Sequence, residues 1–410
     1  MLVAELKDGE RVALVTEGLS LSRLRQLRTR ETFYCPVCHT PVLLKLGSRR
    51  RWHFSHRPRQ GCLIDMEAES ETHLDGKRFL YNWAAGCGEA VTLEHYLPAL
   101  RQRPDIYLPG IEPMAIEFQC STIPEQVIDA RTSGYLGAGI EPVWILGSDR
   151  HRRIGGYLRI TGFEQHAIRK SLHVSRQQDS FISSYYLCYF HPREKQVILE
   201  NPLFPVSKTR FIAGEMKISL SDFRLYRLKS PISSFSRDLF KSLLLQEKKK
   251  IRLRPPWRVS SEEQWLRKQV YLRHQYFSLL PPYTGLPHER YLHLEVSPLL
   301  WQYWICLLLR SCKKGTWFTP EQILRRSKES GGDVLFVRRK MPLCPVYSTL
   351  ELIQTYLSQL TALRVLHQRS NAFCLSPEAV LKTESLPVLL EWDEAVLNRL
   401  STNCFPERVQ

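Results

Sequence analysis

Apolar runs long enough to cross a bilayer are missing from this 410-residue chain. The longest, Pro298 to Leu309 (PLLWQYWICLLL), has the length of a buried helix. The start offers no leader either, since MLVAELKDGERVALV is charged by residue 5 and contains no apolar core. The eleven cysteines are an odd number spread from Cys35 to Cys404, and only Cys35 and Cys38 sit close together. The dense, even framework of a small secreted domain is therefore absent. Internal repeats and low-complexity tracts are lacking too. Carboxylates are scarce: 41 Asp and Glu against 58 Lys and Arg leave a formal charge of +17. These absences describe a reduced, cytoplasmic protein without a membrane span. Its charge excess asks for a polyanionic partner, nucleic acid ahead of an anionic membrane surface.

What is present is a chain with 43% hydrophobic and 24% charged residues, which excludes disorder and predicts two or three domains, each with a real core. LVAEL and RVALV read as a hairpin turning at Asp8-Gly9. Ser20 to Arg30 has helical leucine spacing with arginines between, which fits a solvated helix or a phosphate contact equally. Residues 66 to 147 read helix, three strands, helix, strand, a compact α/β pattern. Phe181 to Phe190 and Gln196 to Leu199 form a strand pair. Residues 235 to 250 are helical, and IRLRPPWR after them reads as a basic linker broken by Pro255-Pro256.

Cys35-Pro-Val-Cys38 is followed by His53-Phe-Ser-His56. Two thiolates and two imidazoles in tight pairs are what tetrahedral zinc takes, with Cys62 as a substitute ligand. Four protein ligands leave no open position, so the site is structural. A free CxxC beside two unrelated histidines is the alternative.

The second constellation is acidic. Asp105 opens a strand, and Glu117 and Gln119 lie on the next, two residues apart and so on one face. Asp105 and Glu117 are a hard-oxygen pair for Mg²⁺ or Mn²⁺ in phosphodiester cleavage. A lysine commonly fills the position of Gln119. On the preceding helix, His73, Lys77, Leu80 and Ala84 share a face with Glu69 close by, while Glu71, Arg78 and Asn82 fall opposite. Lys77 can then supply the missing charge; an amphipathic helix with two polar residues at its boundary is the alternative, and the one periodicity alone favours. Arg131 and Tyr135, one turn apart on the following helix, can reach DNA phosphate or the site. The remaining DNA contacts are expected from Arg49, Arg50, Arg51, Lys248, Lys249, Lys250, Arg252 and Arg254.

FYCPVC, RRRWHFSH, the spacing Glu69-Ser70-x-x-His73-x-x-x-Lys77, RPDIYL, AIEFQCSTIP, Arg131/Tyr135 and PVWILG, in this order, resemble the competence protein CoiA family. The resemblance covers roughly residues 1 to 150. It implies a zinc-finger-like module, a PD-(D/E)xK restriction-endonuclease-like domain, and a role in processing or recombining DNA taken up in natural transformation. It places Asp105, Glu117 and Gln119 at the core motif.

Further on, Pro298 to Arg310, the Thr319-Pro320 start and Ser348 to Leu363 predict three helices, followed by a hairpin at Arg369-Ser370-Asn371. That is a winged-helix order or a helical interaction bundle. The reading is thus an α+β multidomain protein. A hairpin and zinc-finger-like module occupies 1–62, a restriction-endonuclease-like α/β core with a mixed sheet 63–165, and a mixed region with the basic linker 166–258. A mostly helical domain follows over 259–410. The expected activity is a metal-dependent deoxyribonuclease with structural Zn²⁺ and catalytic Mg²⁺ or Mn²⁺. The expected partners are single-stranded or branched DNA and recombination proteins. A non-catalytic DNA-binding recombination accessory is the alternative, favoured by Gln119.

Overall fold

A computed structural model describes all residues except 16–18, 49–50, 58–61, 63–68, 172–183, 232–234, 254–256, 314, 378–383 and 403–410. The chain forms two compact units: Met1–His151 with Leu187–Leu199 and Met216–Pro231, and Arg152–Tyr186 with Glu200–Glu215 and Ile232–Gln410. The four consecutive segments read from the sequence are not this division. The 166–258 segment in particular is shared out, because the strands Tyr185–His191, Gln196–Pro205 and Arg210–Ser219 each have residues in both units.

The first unit begins with β1 (Val3–Glu5) and β2 (Arg11–Ala13), antiparallel about Gly9 at φ +89°, where a side chain would be strained. Ser20 caps α1 (Leu21–Arg30), which buries only Leu24 and leaves its arginines outside. β3 (Phe33–Tyr34), β4 (Pro41–Lys45) and β5 (His53–His56) complete a sheet of order β2-β1-β3-β4-β5. Met1, Leu6, Leu24, Phe33, Leu44 and Phe54 form its core.

α2 (Glu71–Gly86) starts at the Ser70 cap, whose hydroxyl accepts from the His73 N–H at 3.2 Å. β6 (Thr92–Leu93), β7 (Ile106–Leu108) and β8 (Met114–Gln119) run antiparallel to one another. α3 (Glu125–Gly137) then carries the chain back to β9 (Glu141–Gly147), parallel to β8. Tyr189 and Phe190 pair parallel to β9, so the expected mixed sheet is present. Every residue of β8 is buried, as in a strand covered on two faces. Gly76 sets how closely α2 sits on β8: a Cβ there would lie 1.9 Å from Phe118 Cε1.

The second unit pairs Arg152–Ile154 with Tyr157–Arg159, and the latter with Arg210–Ile212, all antiparallel. The rest is chiefly helical: α4 (Arg237–Leu253), α5 (Ser261–Tyr271), α6 (Pro298–Arg310), α7 (Pro320–Glu329), α8 (Thr349–Ala362) and α9 (Leu386–Thr402). α6 is apolar all round and buried from Pro298 to Leu309, with Trp301, Tyr303 and Trp304 at the centre of the core. No described helix is long and apolar enough to cross a membrane. α7 and α8 start in capping boxes at Thr319 and Ser348, and the hairpin Leu366–Arg369/Ala372–Leu375 follows α8. Phe318, just before α7, bridges to Phe373 of that hairpin.

α4 corrects the basic linker. The helix runs on to Leu253, so Phe240, Leu244, Lys248 and Arg252, four apart, share its buried face. Lys248 donates to the Pro282 carbonyl at 2.6 Å and pairs with Asp393 of α9 at 2.7 Å. Arg252 grips the same carboxylate at 2.6 and 2.8 Å. Lys248 and Arg252 are thus internal, not DNA contacts. Lys249 and Lys250 are exposed, and Arg254 lies outside the described residues.

Candidate active site and metal centre

Ser70 and Gly76 fix α2 so that Leu74, Lys77, Leu80 and Ala84 face inward, while Glu71 and Asn82 are exposed. Lys77 is fully buried, and its ammonium donates to Glu69 and to Glu94 and lies 3.5 Å from Asp105 Oδ1. Burial alone would discharge it, but the Glu69, Glu94 and Asp105 charges outweigh this and hold it well above the usual lysine range.

Asp105 stands one residue before β7, and the Ile106↔Ile116 register brings it beside Glu117 and Phe118. Its Oδ2 accepts from the Phe118 N–H at 2.9 Å and lies 3.4 Å from His73 Nε2. Burial would raise its pKa, but Lys77, His73 and these hydrogen bonds hold it well below the usual carboxylate range. Asp105 and His73 keep 14% and 16% of their side chains exposed, so solvent reaches the cluster there.

Glu117 points to α3. Its Oε1 accepts from Tyr135 Oη at 2.5 Å and from Arg131, whose guanidinium also lies 5.5 Å over the Trp144 ring. Burial, and after it the like charge of Asp105, push Glu117 up to about 7 against the pull of Arg131 and Tyr135. Gln119 is buried, and its amide donates to the Ser121 carbonyl at 3.1 Å and to Ser121 Oγ at 3.0 Å. Tyr135 is a correction: it is wholly buried and its hydroxyl is engaged by Glu117, so it does not face DNA. Arg131 keeps 28% of its side chain exposed and reaches the Arg103 carbonyl at 3.3 Å.

Glu94 is the residue the sequence did not single out. It adopts φ +48°, and its carboxylate accepts from the Leu2 N–H at 2.9 Å and the Val3 N–H at 3.1 Å as well as from Lys77. It thereby ties β1 to α2. The signal was a lone carboxylate inside the apolar segment VTLEHYL.

The sulfur-rich group also departs from expectation. Cys35, Cys38, His56 and Cys62 bring one ligand atom each within 4.8 Å of one another, and His53 is not among them. Residues 53 and 56 lie on a strand rather than a turn, so an odd spacing sends them to opposite faces. His53 Nδ1 instead donates to the Arg51 carbonyl at 2.8 Å. Cys38 Sγ lies 3.0 Å from Thr40 Oγ1 and 3.3 Å from His56 Nε2. Burial pushes the Cys35 thiol up to about 12. Burial opposes the shift of Cys38, yet hydrogen bonds from Thr40 and His56 bring it down to about 6. Glu69, His73 and Asp105 also come within 4.8 Å, but there the Lys77 ammonium already serves as the cation.

Of the expected DNA contacts, Arg49 and Arg50 lie outside the described residues. Arg51 pairs with Asp75 at 2.7 Å and lines a cleft of about 980 Å³ with Arg28, Lys45, His53 and Arg57, against the single carboxylate of Glu31.

Three family models match the chain: competence protein CoiA, N-terminal domain, over residues 16–65; its nuclease-like domain over 69–232; and its C-terminal domain over 240–382. Competence protein CoiA of Bacillus subtilis (strain 168) is 42% identical over 125 residues, 30% of this chain and 34% of that protein. The match thus spans about a third of the relative's length. No solved structure matches.

Proposed function

The chain belongs to the competence protein CoiA family, and its nuclease-like domain contains Asp105, Glu117 and Lys77. From that premise we propose that it is a divalent-metal-dependent deoxyribonuclease that processes DNA taken up during natural transformation. One observation carries the reading: α2 delivers a buried lysine to within 3.5 Å of Asp105 where the strand offers only Gln119.

The donors suit Mg²⁺ or Mn²⁺, because Asp105 and Glu117 are hard oxygen ligands whose charges sit close enough to oppose each other. A bound divalent ion supplies the Lewis acid that activates water and neutralises charge developing on phosphorus. Lys77 keeps Asp105 ionised without touching substrate, since it has no exposed surface. Arg131 and Tyr135 hold Glu117 in place. His73 and Arg131, on the exposed rim, meet phosphate, and Gln119 orients water or phosphate from the face of Glu117. The cleft of Arg28, Lys45, Arg51 and Arg57 gives affinity for the DNA backbone. Cys35, Cys38, His56 and Cys62 hold one Zn²⁺, since thiolates and imidazole are its donors. Helix, bridge, two helices and hairpin in the second unit follow the winged-helix order.

Single-stranded, duplex and branched DNA incubated with the protein and Mg²⁺ or Mn²⁺, with EDTA as control, tests the activity. No metal-dependent cleavage on any form leaves the accessory reading standing. For zinc, Cys62→Ser should lose most of about one bound equivalent while His53→Gln keeps it, measured by elemental analysis. The opposite pattern restores the set with His53.

A further inference from the structure

Between Glu263 and Glu289 the chain carries no carboxylate, yet it holds Arg267, Lys268 and Arg273 together with five Trp, Tyr and Phe residues. α5 ends here in a sharp reversal. The Gln275 N–H returns to the Val270 carbonyl at 3.2 Å, and His274 takes φ +53°. The reversal brings the backbone after Tyr276 next to the end of α5. It leaves Tyr271 78%, Leu272 58% and Tyr276 75% exposed. Arg267 pairs with Glu263 at 2.7 Å, but two cations beside the turn show no carboxylate partner among the described residues: Arg273 donates to the Gln269 carbonyl at 2.8 Å, and Arg310 donates to Gln275 Oε1 at 2.6 Å.

Two exposed phenol rings are a poor choice for plain solvent, and core packing does not use them. Aromatic faces beside cations that no described carboxylate neutralises recognise a polyanion that also carries flat apolar faces. Unpaired nucleic acid has both, whereas a duplex hides its base faces in the stack. We propose that the Tyr271–Tyr276 turn is a stacking platform for single-stranded DNA, on which the two rings take bases while Arg273 and Arg310 supply the positive field for phosphate. The assignment rests on the DNA reading above and adds to it a surface for the single strand in the second unit.

The test uses the full chain and fluorescein-labelled oligo(dT) followed by anisotropy. Tyr271→Ala with Tyr276→Ala should weaken binding at least about fivefold per ring, in the range of base–aromatic stacking, with the salt slope unchanged. Tyr271→Phe with Tyr276→Phe should bind as the parent does, because the ring faces remain. Arg273→Ala should instead flatten the salt slope by about one unit. An abasic oligomer of equal length should bind parent and double alanine variant alike. Tyr226→Ala, an exposed ring in the first unit, should bind as the parent.

Undiminished oligo(dT) binding by the double alanine variant overturns the platform while leaving the DNA reading intact. An equal loss from Tyr226→Ala overturns it too, since any exposed ring would then do. A changed oligomeric state with unchanged binding assigns the surface to a second copy and likewise overturns it. A parent that binds no DNA of any form defeats the DNA reading itself.

Discussion

The two units each bury a cluster of charges, and the clusters are built to opposite ends. Around Lys77, Glu69, Glu94 and Asp105 face its ammonium, Glu69 pairs with the Met1 ammonium as well at 2.6 Å, and Glu117 beside them pairs with Arg131. Around Asp393 the cations are in excess, but the surplus is absorbed by backbone: Lys248 by the Pro282 carbonyl, and Arg252 by those of Ser278 and Leu280. The second cluster is sealed, whereas the first reaches solvent through Asp105 and His73. A closed cluster whose cations meet a carboxylate and backbone carbonyls fastens one helix to another. An open one lets water reach its carboxylate and imidazole. Burial of charge by itself therefore does not mark a functional site; access to water is what separates the two clusters.

Breaking the comparison starts with the largest effect. Asp105→Ala or Glu117→Ala should cut metal-dependent cleavage roughly a thousandfold, the several kcal/mol a metal contributes to the transition state, while DNA binding survives. Initial rates on labelled DNA beside the EDTA control measure this.

Asp393→Ala should cost about 3–5 kcal/mol of stability in denaturant unfolding, since it leaves two cations buried without a carboxylate. The triple replacement Lys248→Met, Arg252→Met, Asp393→Leu should be near neutral, because an apolar set needs no desolvation. A costless Asp393→Ala would show that the cluster fastens nothing.

Acid separates the units more gently. Burial, with Arg338 after it, brings His293 down to about 4, and burial brings His288 to about 4 as well. Depressed histidines bind protons more readily unfolded, so stability is present above pH 6.5 and is lost as pH falls toward 4. The Lys77 carboxylates are also depressed, but from ordinary values of 4.5 and 3.8, so their contribution survives to lower pH. Between pH 6.5 and 4.5 the second unit should therefore weaken first, by about 1–3 kcal/mol. Unfolding followed by hydrogen exchange at both pH values resolves the units. His293→Gln should flatten the dependence.

The smallest effect sharpens the facing of α2: Glu71→Ala on its outer side should stay within about 0.5 kcal/mol and leave cleavage unchanged.

Periodicity and cap chemistry alone set the element order of the nuclease-like domain, the buried α6, the helix start at Thr319 and the inward side of α2. These follow from neighbours along the chain: side-chain alternation, helical repeat and a cap hydroxyl within three residues. The inward placing of Lys77 was legible for the same reason, whereas its partners Glu69, Glu94 and Asp105 were not. Three things were decided only in space. His53 gave way to Cys62 because the segment extends as a strand, and a strand's two faces depend on what it pairs with. Lys248 and Arg252 turned inward because Asp393, 141 residues away, meets their helix there. Glu94 joined the site because β1 places two backbone N–H groups against it, 92 and 91 residues distant in sequence. A charge's partner is set by tertiary packing, and its burial is tolerable only where that packing delivers one.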